Sequence, residues 1–303
     1  MNCSSSYRIQ TDLATRFIYV LINVFTALLA IVGNFFLLFV VFKSYRLRTT
    51  SNYFLCSLAV ADFLVGLIAS PLNILRIEPS IPASYLPAIG KIFDFCVLQT
   101  LMATTFNLVL VSIDRYIAIK WSLQYLTILT TKFVSVAIGI TWTSSSLLAF
   151  PGLFIYGEGL MIHWLVTVLV TLIFPLGIIC FCYVEILKIT KAQQKTHAVV
   201  LQSGEQICNE SEARNNIKNR KASLTFAIIT VVFLVSFAPN LICNVFYAFT
   251  FQPCSKIPEY FYWTNTIMFI SSSLNPLLYG ARSRDFRLAF KRITSNFRVG
   301  SHG

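Results

Sequence analysis

The sequence predicts an all-α membrane protein, a bundle of seven transmembrane helices, from its composition, its apolar segments and the placement of its charges. Of the 303 residues, 56% are hydrophobic and 12% are charged, and the mean hydropathy is +0.71. Soluble domains carry about twice that share of charge, so the composition excludes an ordinary soluble enzyme, and it also excludes intrinsic disorder. Seven apolar segments are each long enough to cross about 30 Å of hydrocarbon as a helix. We number them spans 1 to 7; they cover residues 17–42, 52–75, 91–119, 132–151, 162–187, 222–250 and 259–280.

Each span is expected to be a helix because a lipid-exposed backbone must satisfy its own hydrogen bonds. Only 16 residues precede span 1, too few for a cleaved leader peptide, so span 1 is expected to act as the signal anchor. The polar stretch 188–221 is expected to extend the helices of spans 5 and 6. Pro239 and Pro276 should kink spans 6 and 7, since proline lacks the backbone N–H; span 5 also contains a proline, Pro175.

The basic residues predict the orientation in the membrane. Of the 24 lysines and arginines, 19 lie in alternate loops starting after span 1 and in the C-terminal segment. Such an excess marks the cytoplasmic side. We therefore expect a multi-pass plasma-membrane protein with its N-terminus outside and its C-terminus inside. The net charge of +12 then belongs to the cytoplasmic face, where attraction to anionic lipid is favoured over nucleic-acid binding.

The sequence shows no constellation of catalytic residues, so an enzyme is not expected. His163, His197 and His302 are too dispersed to form a cluster, and metalloprotease, hydrolase and phosphate-loop motifs are absent from the sequence. A seven-span transporter or channel is the alternative to a receptor. A transporter would more typically contain paired repeats and several buried ionisable groups, whereas Asp62 is the one acid deep in a span.

Short motifs in all seven spans are similar to those of one receptor family. They are Gly33-Asn34, Leu58-Ala59-x-Ala61-Asp62, Asp114-Arg115-Tyr116, Trp142, Pro175 with Tyr183, Phe233 with Pro239, and Asn275-Pro276-Leu277-Leu278-Tyr279. Over residues 17–295 the chain resembles a rhodopsin-like (class A) G protein-coupled receptor. The resemblance implies four parts: an extracellular N-terminus (1–16), a seven-transmembrane domain (17–281), an amphipathic cytoplasmic helix with Phe286 (282–295) and a short cytoplasmic tail (296–303).

The resemblance also implies a two-state switch that couples an extracellular ligand to a heterotrimeric G protein. Ligand binding among the outer halves of spans 2, 3, 5, 6 and 7 is expected to swing span 6 outward below Pro239. Arg115 then leaves Asp114, and a G protein α-subunit enters the opened cavity. The residues expected to carry switching and coupling are Asp114, Arg115, Tyr116, Leu123, Tyr125, Tyr183, Asn219, Phe233, Phe237, Pro239, Asn275, Pro276 and Tyr279.

One part of this switch departs from many members of the family. They hold the equivalent of Arg115 with an acid twenty residues before the proline of span 6, and here that position is Asn219, between Lys218 and Arg220. An amide cannot form the ion pair, and the neighbouring cations repel Arg115. We therefore expect appreciable signalling without ligand.

Features of several ligand branches occur together. DRYIAIKWSLQY, which ends with Tyr125, and Asn244 are similar to adenosine receptors, whereas Asp94 and the absence of a cysteine at Gly90 are similar to melanocortin receptors and their lipid-receptor relatives. Val97 stands where amine receptors carry an aspartate, which argues against a monoamine. The expected ligand is a purine, a lipid or a short peptide. The candidate pocket residues are Asp94, Val97, Leu98, Leu101, Thr167, Asn240, Leu241, Asn244, Asn265 and Phe269.

Asp62 is the centre of a candidate sodium site. A buried carboxylate with hydroxyl and amide oxygens on facing helices suits a hard cation, and the candidate ligands are Asp62, Asn34, Thr104, Ser271 and Asn275. The alternative is a protonated Asp62 that only donates a hydrogen bond. No cofactor besides this allosteric ion is expected.

The expected covalent features lie on the outer side. Cys3 and Cys254 are the only cysteines in outer loops, an oxidising compartment, and are expected to form a disulfide. Asn2 begins an Asn-Cys-Ser glycosylation sequence.

Overall fold

The structure, a computed structural model, describes residues 12–155, 158–203, 210–250, 260–282, 286–290 and 292. Each predicted span is a helix in it. Their bounds are Leu13–Lys43 for span 1, Thr50–Leu75 for span 2, Leu86–Lys120 for span 3, Thr131–Leu153 for span 4, Glu158–Val168, Leu169–Ile173 and Phe174–Ser203 for span 5, Glu210–Thr250 for span 6 and Tyr260–Arg282 for span 7. Short helices occur at Tyr45–Leu47, Tyr125–Ile128 and 286–290.

The helices extend beyond most of the predicted bounds. Spans 5 and 6 continue into the polar stretch, to Ser203 and from Glu210, as expected. Six of the described helices, those of spans 1 to 6, are long and apolar enough to cross a membrane. Span 7 has the length but not the same apolar character, because it carries buried polar residues such as Asn265, Ser272 and Asn275.

Polar side chains fix where three of the helices begin. The Asp12 carboxylate accepts a hydrogen bond from the Thr15 N–H at 3.1 Å, and hydrogen bonds from the Thr15 side chain and backbone lower the pKa of Asp12. Thr49 caps span 2 by accepting from the Asn52 N–H at 3.4 Å, and Thr130 caps span 4 by accepting from the Phe133 N–H at 3.3 Å. Each cap satisfies a backbone donor that has no partner within its helix.

The prolines of the spans have two different effects on the helices. Spans 6 and 7 continue as helix through Pro239 and Pro276. In span 5, Pro175 follows a π-helical stretch, Leu169–Ile173, and span 2 has a similar stretch at Val65–Ala69. Such wide turns accommodate the missing N–H of a proline and redirect the side chains beyond them.

Span 3 is the central helix of the bundle and packs against spans 2, 4, 5 and 6. We call the end of the bundle near Arg115 the lower end and the end near Asp94 the upper end. One apolar cluster fills the lower half, with Leu58, Leu108 and Ile229 among its buried members. A second cluster fills the upper half; it is built from Val65, Ala69, Phe93, Phe237, Met268 and Phe269.

The close approach of spans 1 and 7 requires a glycine at position 33. A Cβ atom built there would lie 2.9 Å from the Cγ atom of Pro276. The proline ring is rigid and held by its own helix, so a side chain at this position would force the two helices apart. At Gly139, by contrast, an added Cβ would meet nothing within 4 Å.

We predict opposite effects of alanine at these two glycines. Gly33→Ala should lower the melting temperature of the purified receptor, because overpacking costs about 1–3 kcal/mol. Gly139→Ala is the matched control and should leave it unchanged or raise it, since alanine is favoured over glycine in a helix by about 0.5–1 kcal/mol. Equal melting temperatures for the two variants would contradict the close contact at Pro276.

Candidate functional site

Arg115 is buried at the lower end of span 3, only 6% exposed, and is held by an ion pair with Asp114. Its Nε atom donates to Asp114 Oδ2 at 2.8 Å, and its Nη2 atom contacts both Asp114 and Ser51. The Ser51 hydroxyl also donates to Asp114 Oδ2 at 2.9 Å. A buried charge is costly unless it is paired and hydrogen-bonded, and this network meets both requirements.

Tyr125 completes the network from the linker between spans 3 and 4. Its hydroxyl donates to Asp114 Oδ1 at 2.7 Å and lies 2.9 Å from the hydroxyls of Thr50 and Ser51. Partial burial and the negative charge of Asp114 raise the pKa of Tyr125, so it remains a neutral donor. The sequence singled out Tyr125 but not Thr50 or Ser51, which occupy the start of span 2 in a run of small polar residues typical of a helix cap.

Span 6 meets Arg115 through an aromatic ring. The Arg115 guanidinium carbon lies 5.8 Å from the centroid of the Phe226 ring, which itself packs edge-on against Tyr279 at 5.9 Å. The hydroxyls of Tyr279 and Tyr183 are buried without a hydrogen-bond partner among the described residues. Asn219 is part of the span 6 helix, but its side chain lies outside the part of the chain that is described.

Two further predicted coupling residues flank this network. Leu123, in the linker after span 3, is 89% exposed and free to contact a partner. The hydroxyl of Tyr116 accepts a hydrogen bond from Lys120 at 2.7 Å, and its ring packs against Trp121 and Phe181. Tyr116 therefore turns away from the Arg115 network, toward span 5.

Asp62 lies in the middle of the bundle, 1% exposed. Asn275 donates to its Oδ2 atom at 2.7 Å, and the Ser272 hydroxyl is also hydrogen-bonded to the carboxylate. Asn34 binds the Ser272 carbonyl through its Nδ2 atom at 3.1 Å, while its Oδ1 atom is buried and has no partner in the described chain. Asp62, Asn34 and Asn275 are thus brought together, and Ser272 joins them, although the sequence had suggested the neighbouring Ser271.

A small cavity lies beside Ser272, the serine that contacts this carboxylate. It has a volume of about 20 Å³, enough for about one water molecule. Thr104, Ser271 and Ser272 supply polar oxygens to its wall, and the rest of the wall is largely apolar, with Leu101, Phe233 and Phe269. Val65, one helical turn above Asp62, also lines it. The Ser271 hydroxyl itself donates to the Met268 carbonyl at 2.7 Å, so it presents an oxygen acceptor to the cavity.

Phe233 and Phe237 connect this polar centre with the upper half of span 6. Their rings stack with an interplanar angle of 4° and centroids 6.1 Å apart. Phe237 is 5% exposed and packs in the upper cluster with Phe269. A change in the rotamer of Phe237 would therefore disturb its neighbours on both sides.

The three predicted pocket amides form a chain of hydrogen bonds at the upper end. Asn240 donates to Asn265 Oδ1 at 2.7 Å, and Asn244 donates to Asn240 Oδ1 at 2.9 Å. Four of the predicted apolar pocket residues pack in the upper cluster beside them; they are Val97, Leu101, Leu241 and Phe269. The Thr167 hydroxyl does not join this chain of amides, because it donates to the His163 carbonyl of its own helix at 2.6 Å.

The upper end of span 3 is tied to the loop after span 4 by Lys91. Its ammonium group donates to the Leu153 carbonyl at 2.6 Å, next to Gly90. Among the described residues the cysteines, at 56, 96, 180, 182 and 243, are all free. The predicted disulfide partners Cys3 and Cys254, and the sequon residue Asn2, lie outside the described residues.

The described helices form a membrane-type bundle with a buried, paired arginine at its lower end and three hydrogen-bonded amides at its upper end. The model of the 7 transmembrane receptor (rhodopsin) family matches residues 33–279, and the chain belongs to that family. It is therefore a class A G protein-coupled receptor and not an enzyme.

Named relatives cover most of the chain at moderate identity. The rat (Rattus norvegicus) histamine H2 receptor is 26% identical over 88% of this chain and 76% of its own length. The mouse (Mus musculus) trace amine-associated receptor 9 is 29% identical over 91% of this chain and 84% of its own length. The horse (Equus caballus) adenosine receptor A2a is 28% identical over 91% of this chain and 72% of its own length. The adenosine branch is thus one of several at similar distance, and the similarity to it suggested by the motifs does not single it out.

We predict that removing the Tyr125 hydroxyl raises basal signalling. Tyr125→Phe deletes a hydrogen bond to a charged acceptor in the resting network. A loss of about 1 kcal/mol would raise the active fraction about fivefold. Basal nucleotide exchange should be compared at equal surface receptor, with Tyr45→Phe as the control, because Tyr45 is 84% exposed. Equal basal output from wild type and Tyr125→Phe would show that Tyr125 does not restrain the switch.

Proposed function

We propose that this chain is a plasma-membrane receptor with its N-terminus outside, which binds a small ligand at the upper end and activates a heterotrimeric G protein at the lower end. The observation that carries the proposal is the Arg115 network. The arginine is paired with Asp114 and covered by Phe226 of span 6, so an outward movement of span 6 uncovers it. The predicted basic cytoplasmic face lies at this same end.

Nucleotide exchange on a purified G protein tests this function directly. The receptor, reconstituted in lipid nanodiscs, should accelerate guanine-nucleotide exchange without added ligand, and Arg115→Gln should abolish that acceleration. Lys188→Gln is the control, because Lys188 is an exposed cation on the lower part of span 5 that pairs with Glu185 at 2.7 Å. An Arg115→Gln receptor with unchanged exchange would refute the proposed coupling.

The upper pocket supports a ligand with an apolar body and a polar group that matches amides. Val97, Leu101 and Phe269 supply apolar surface, and the chain of Asn244, Asn240 and Asn265 supplies donors and acceptors. A purine, a lipid or a short peptide can meet these requirements. The amine-receptor relatives add amines as a further candidate class of ligand. Val97, however, stands at the position on span 3 where amine receptors carry a carboxylate.

The polar centre of the bundle supports the proposed sodium site. Asp62 supplies a buried carboxylate hydrogen-bonded to Asn275 and Ser272, and the Asn34 Oδ1 atom is buried without a described partner. Hydroxyl oxygens of Thr104 and Ser271 line the adjoining cavity. These are all hard oxygen donors, the kind that a small cation prefers. In this proposal the ion stabilises the resting arrangement of spans 2, 3 and 7.

The sodium site predicts a cation-specific stabilisation. Sodium chloride, but not equimolar potassium or choline chloride, should raise the melting temperature of the ligand-free receptor; at ten times the dissociation constant the gain is about 1.4 kcal/mol. Asp62→Asn should remove the response, and Glu78→Gln, which removes a partly buried acid at the upper end, should keep it. A sodium response in Asp62→Asn, or no response in wild type, would eliminate the site.

Restoring the missing acid on span 6 should stabilise the inactive state of the receptor. Asn219→Glu restores the acid that, by the family resemblance, pairs with the equivalent of Arg115, and a boundary ion pair is worth about 1 kcal/mol or less. Basal exchange per surface receptor should therefore fall by up to about fivefold, while Asn219→Gln, the uncharged match in size, should resemble wild type. If the glutamate variant keeps the basal output of wild type, other contacts hold the resting state.

A further inference from the structure

Arg76, at the upper end of span 2, is held between two aromatic rings. Its guanidinium carbon lies 4.4 Å from the centroid of Phe93 and 5.1 Å from that of Tyr262. Cation–π contacts use the face of the guanidinium, which leaves its N–H groups at the edge. Arg76 is half-buried, and it forms no ion pair with another residue in the described part of the chain. It is therefore an oriented donor group at the mouth of the bundle.

An acid lies beside this arginine without pairing with it. Asp94 directly follows Phe93 on span 3, is exposed, and interacts electrostatically with Arg76. Within the described residues, however, the two side chains do not form an ion pair or a hydrogen bond. The upper end of spans 2, 3 and 7 thus presents a positive and a negative group side by side, separated by more than an ion-pair distance.

The floor beneath Arg76 contains polar atoms that lack partners. Asn73, one helical turn below Arg76, is 0% exposed, and neither its Nδ2 nor its Oδ1 atom has a hydrogen-bond partner among the described residues. The hydroxyl of Tyr262, whose ring lies 6.4 Å from that of Tyr19, is in the same situation, whereas the Tyr19 hydroxyl lies within reach of Thr266 and Asn73. Buried polar groups are nearly always satisfied. The Tyr262 hydroxyl, beside the guanidinium of Arg76, is therefore open to a polar occupant or to water.

An apolar wall continues from the charged groups into the predicted pocket. Phe93, which covers Arg76, also packs edge-on against Phe269 with centroids 6.3 Å apart. Val97 and Leu101 lie one and two turns below Asp94 on span 3 and pack in the same cluster. A molecule with its charged end at Arg76 and Asp94 would therefore lay an apolar body along the upper cluster.

We propose that the upper end binds the head group of an α-amino acid with an apolar side chain. Its carboxylate is received by the N–H groups of Arg76 and its ammonium by the carboxylate of Asp94. Its side chain enters the upper cluster beside Val97, where the rings of Phe93 and Phe269, 2% and 3% exposed, have to move apart to admit it. This inference rests on the proposed function, in which the upper pocket receives the ligand, and it specifies the chemical class of that ligand.

A zwitterion fits better than a ligand with a single charge. The positive Arg76 and the negative Asp94 lie side by side, so a ligand complements both when its carboxylate faces Arg76 and its ammonium faces Asp94. A purely cationic ligand would face the repulsion of Arg76, and a purely anionic ligand that of Asp94; either would desolvate one protein charge without pairing it. The short distance between ammonium and carboxylate in an amino acid also suits two protein groups that lie close but do not touch.

Three probes with one apolar body test the proposal. L-Phenylalanine carries both charges, phenethylamine only the ammonium and 3-phenylpropanoic acid only the carboxylate. Their binding to the receptor in nanodiscs is measured by isothermal calorimetry and by the shift in melting temperature, and L-leucine and L-tryptophan extend the range of side chains. At least one amino acid should bind at least tenfold more tightly than either of its single-charge analogues. Arg76→Gln and Asp94→Asn should each weaken that binding about tenfold or more, since each loses a charged hydrogen bond.

Matched variants on the same face serve as controls. Arg16→Gln and Glu78→Gln remove a cation and an acid at the upper end outside the subsite, and they should leave binding of the amino acid unchanged. If no amino acid binds more tightly than its single-charge analogues, or if Arg76→Gln and Asp94→Asn bind like wild type, the proposal is overturned. Basal nucleotide exchange of the wild-type receptor, measured without any probe, separates this result from a failure of the proposed function.

A measurement without ligand tests the competing arrangement, in which the two charges only neutralise each other. Melting temperatures are compared for Arg76→Gln, Asp94→Asn and the double variant. Because the two charges interact electrostatically, the proposal expects the double variant to recover part of the stability lost in the single variants, but not most of it. If the double variant recovers the stability that both single variants lose, Arg76 and Asp94 mainly neutralise each other's charge, and the proposal is overturned.

Discussion

The burial of the Arg115 charge constrains the lower half of the structure. A guanidinium that is only 6% exposed needs a counter-charge and hydrogen bonds to remain there. Asp114 supplies the charge, and it is held in turn by Ser51 of span 2 and by Tyr125 of the linker after span 3. Satisfying one arginine therefore fixes span 2, span 3 and that linker relative to one another. The described part of span 6 contacts Arg115 through the ring of Phe226 and not through an acid. Span 6 is therefore the helix that can move away from Arg115 with the smallest loss of interaction energy.

Between the two ends of the bundle, the connection runs through packed rings and one polar centre. Phe226 touches both Arg115 and Tyr279, and Phe233 stacks on Phe237, which lies about half a turn of helix below Pro239. Closely packed interiors respond to a shift by moving to a second packing rather than by deforming smoothly. Asp62 and Asn275 join spans 2 and 7 beside these rings. A displacement of span 6 at its upper end therefore has to be accommodated by both the ring stack and the polar centre.

The sequence predicted the features that follow from composition and from local motifs. The seven helices, the Asp114–Arg115 pair with Tyr125, and the contact of Asp62 with Asn275 were all predicted from apolar length and motif position. The contact of Ser272 with Asp62 was not, because adjacent serines on a helix differ by about 100° in direction and the rotation of span 7 depends on its packing. The roles of Thr50, Ser51 and Arg76 were also missed, since a small polar residue at a helix start and an arginine at a membrane boundary each have an ordinary local explanation.

The tie between Lys91 and the Leu153 carbonyl gives the entrance of the pocket a different character from a covalently closed one. A disulfide between span 3 and the loop after span 4 cannot form here, because position 90 is glycine and residues 152–161 contain no cysteine. A hydrogen bond between an ammonium group and a backbone carbonyl breaks and re-forms on the timescale of side-chain and loop motions, nanoseconds to microseconds, whereas a disulfide does not. Fast exchange of a small solute, rather than long residence, is the behaviour that this kind of entrance favours, and the contact itself is indifferent to reducing conditions.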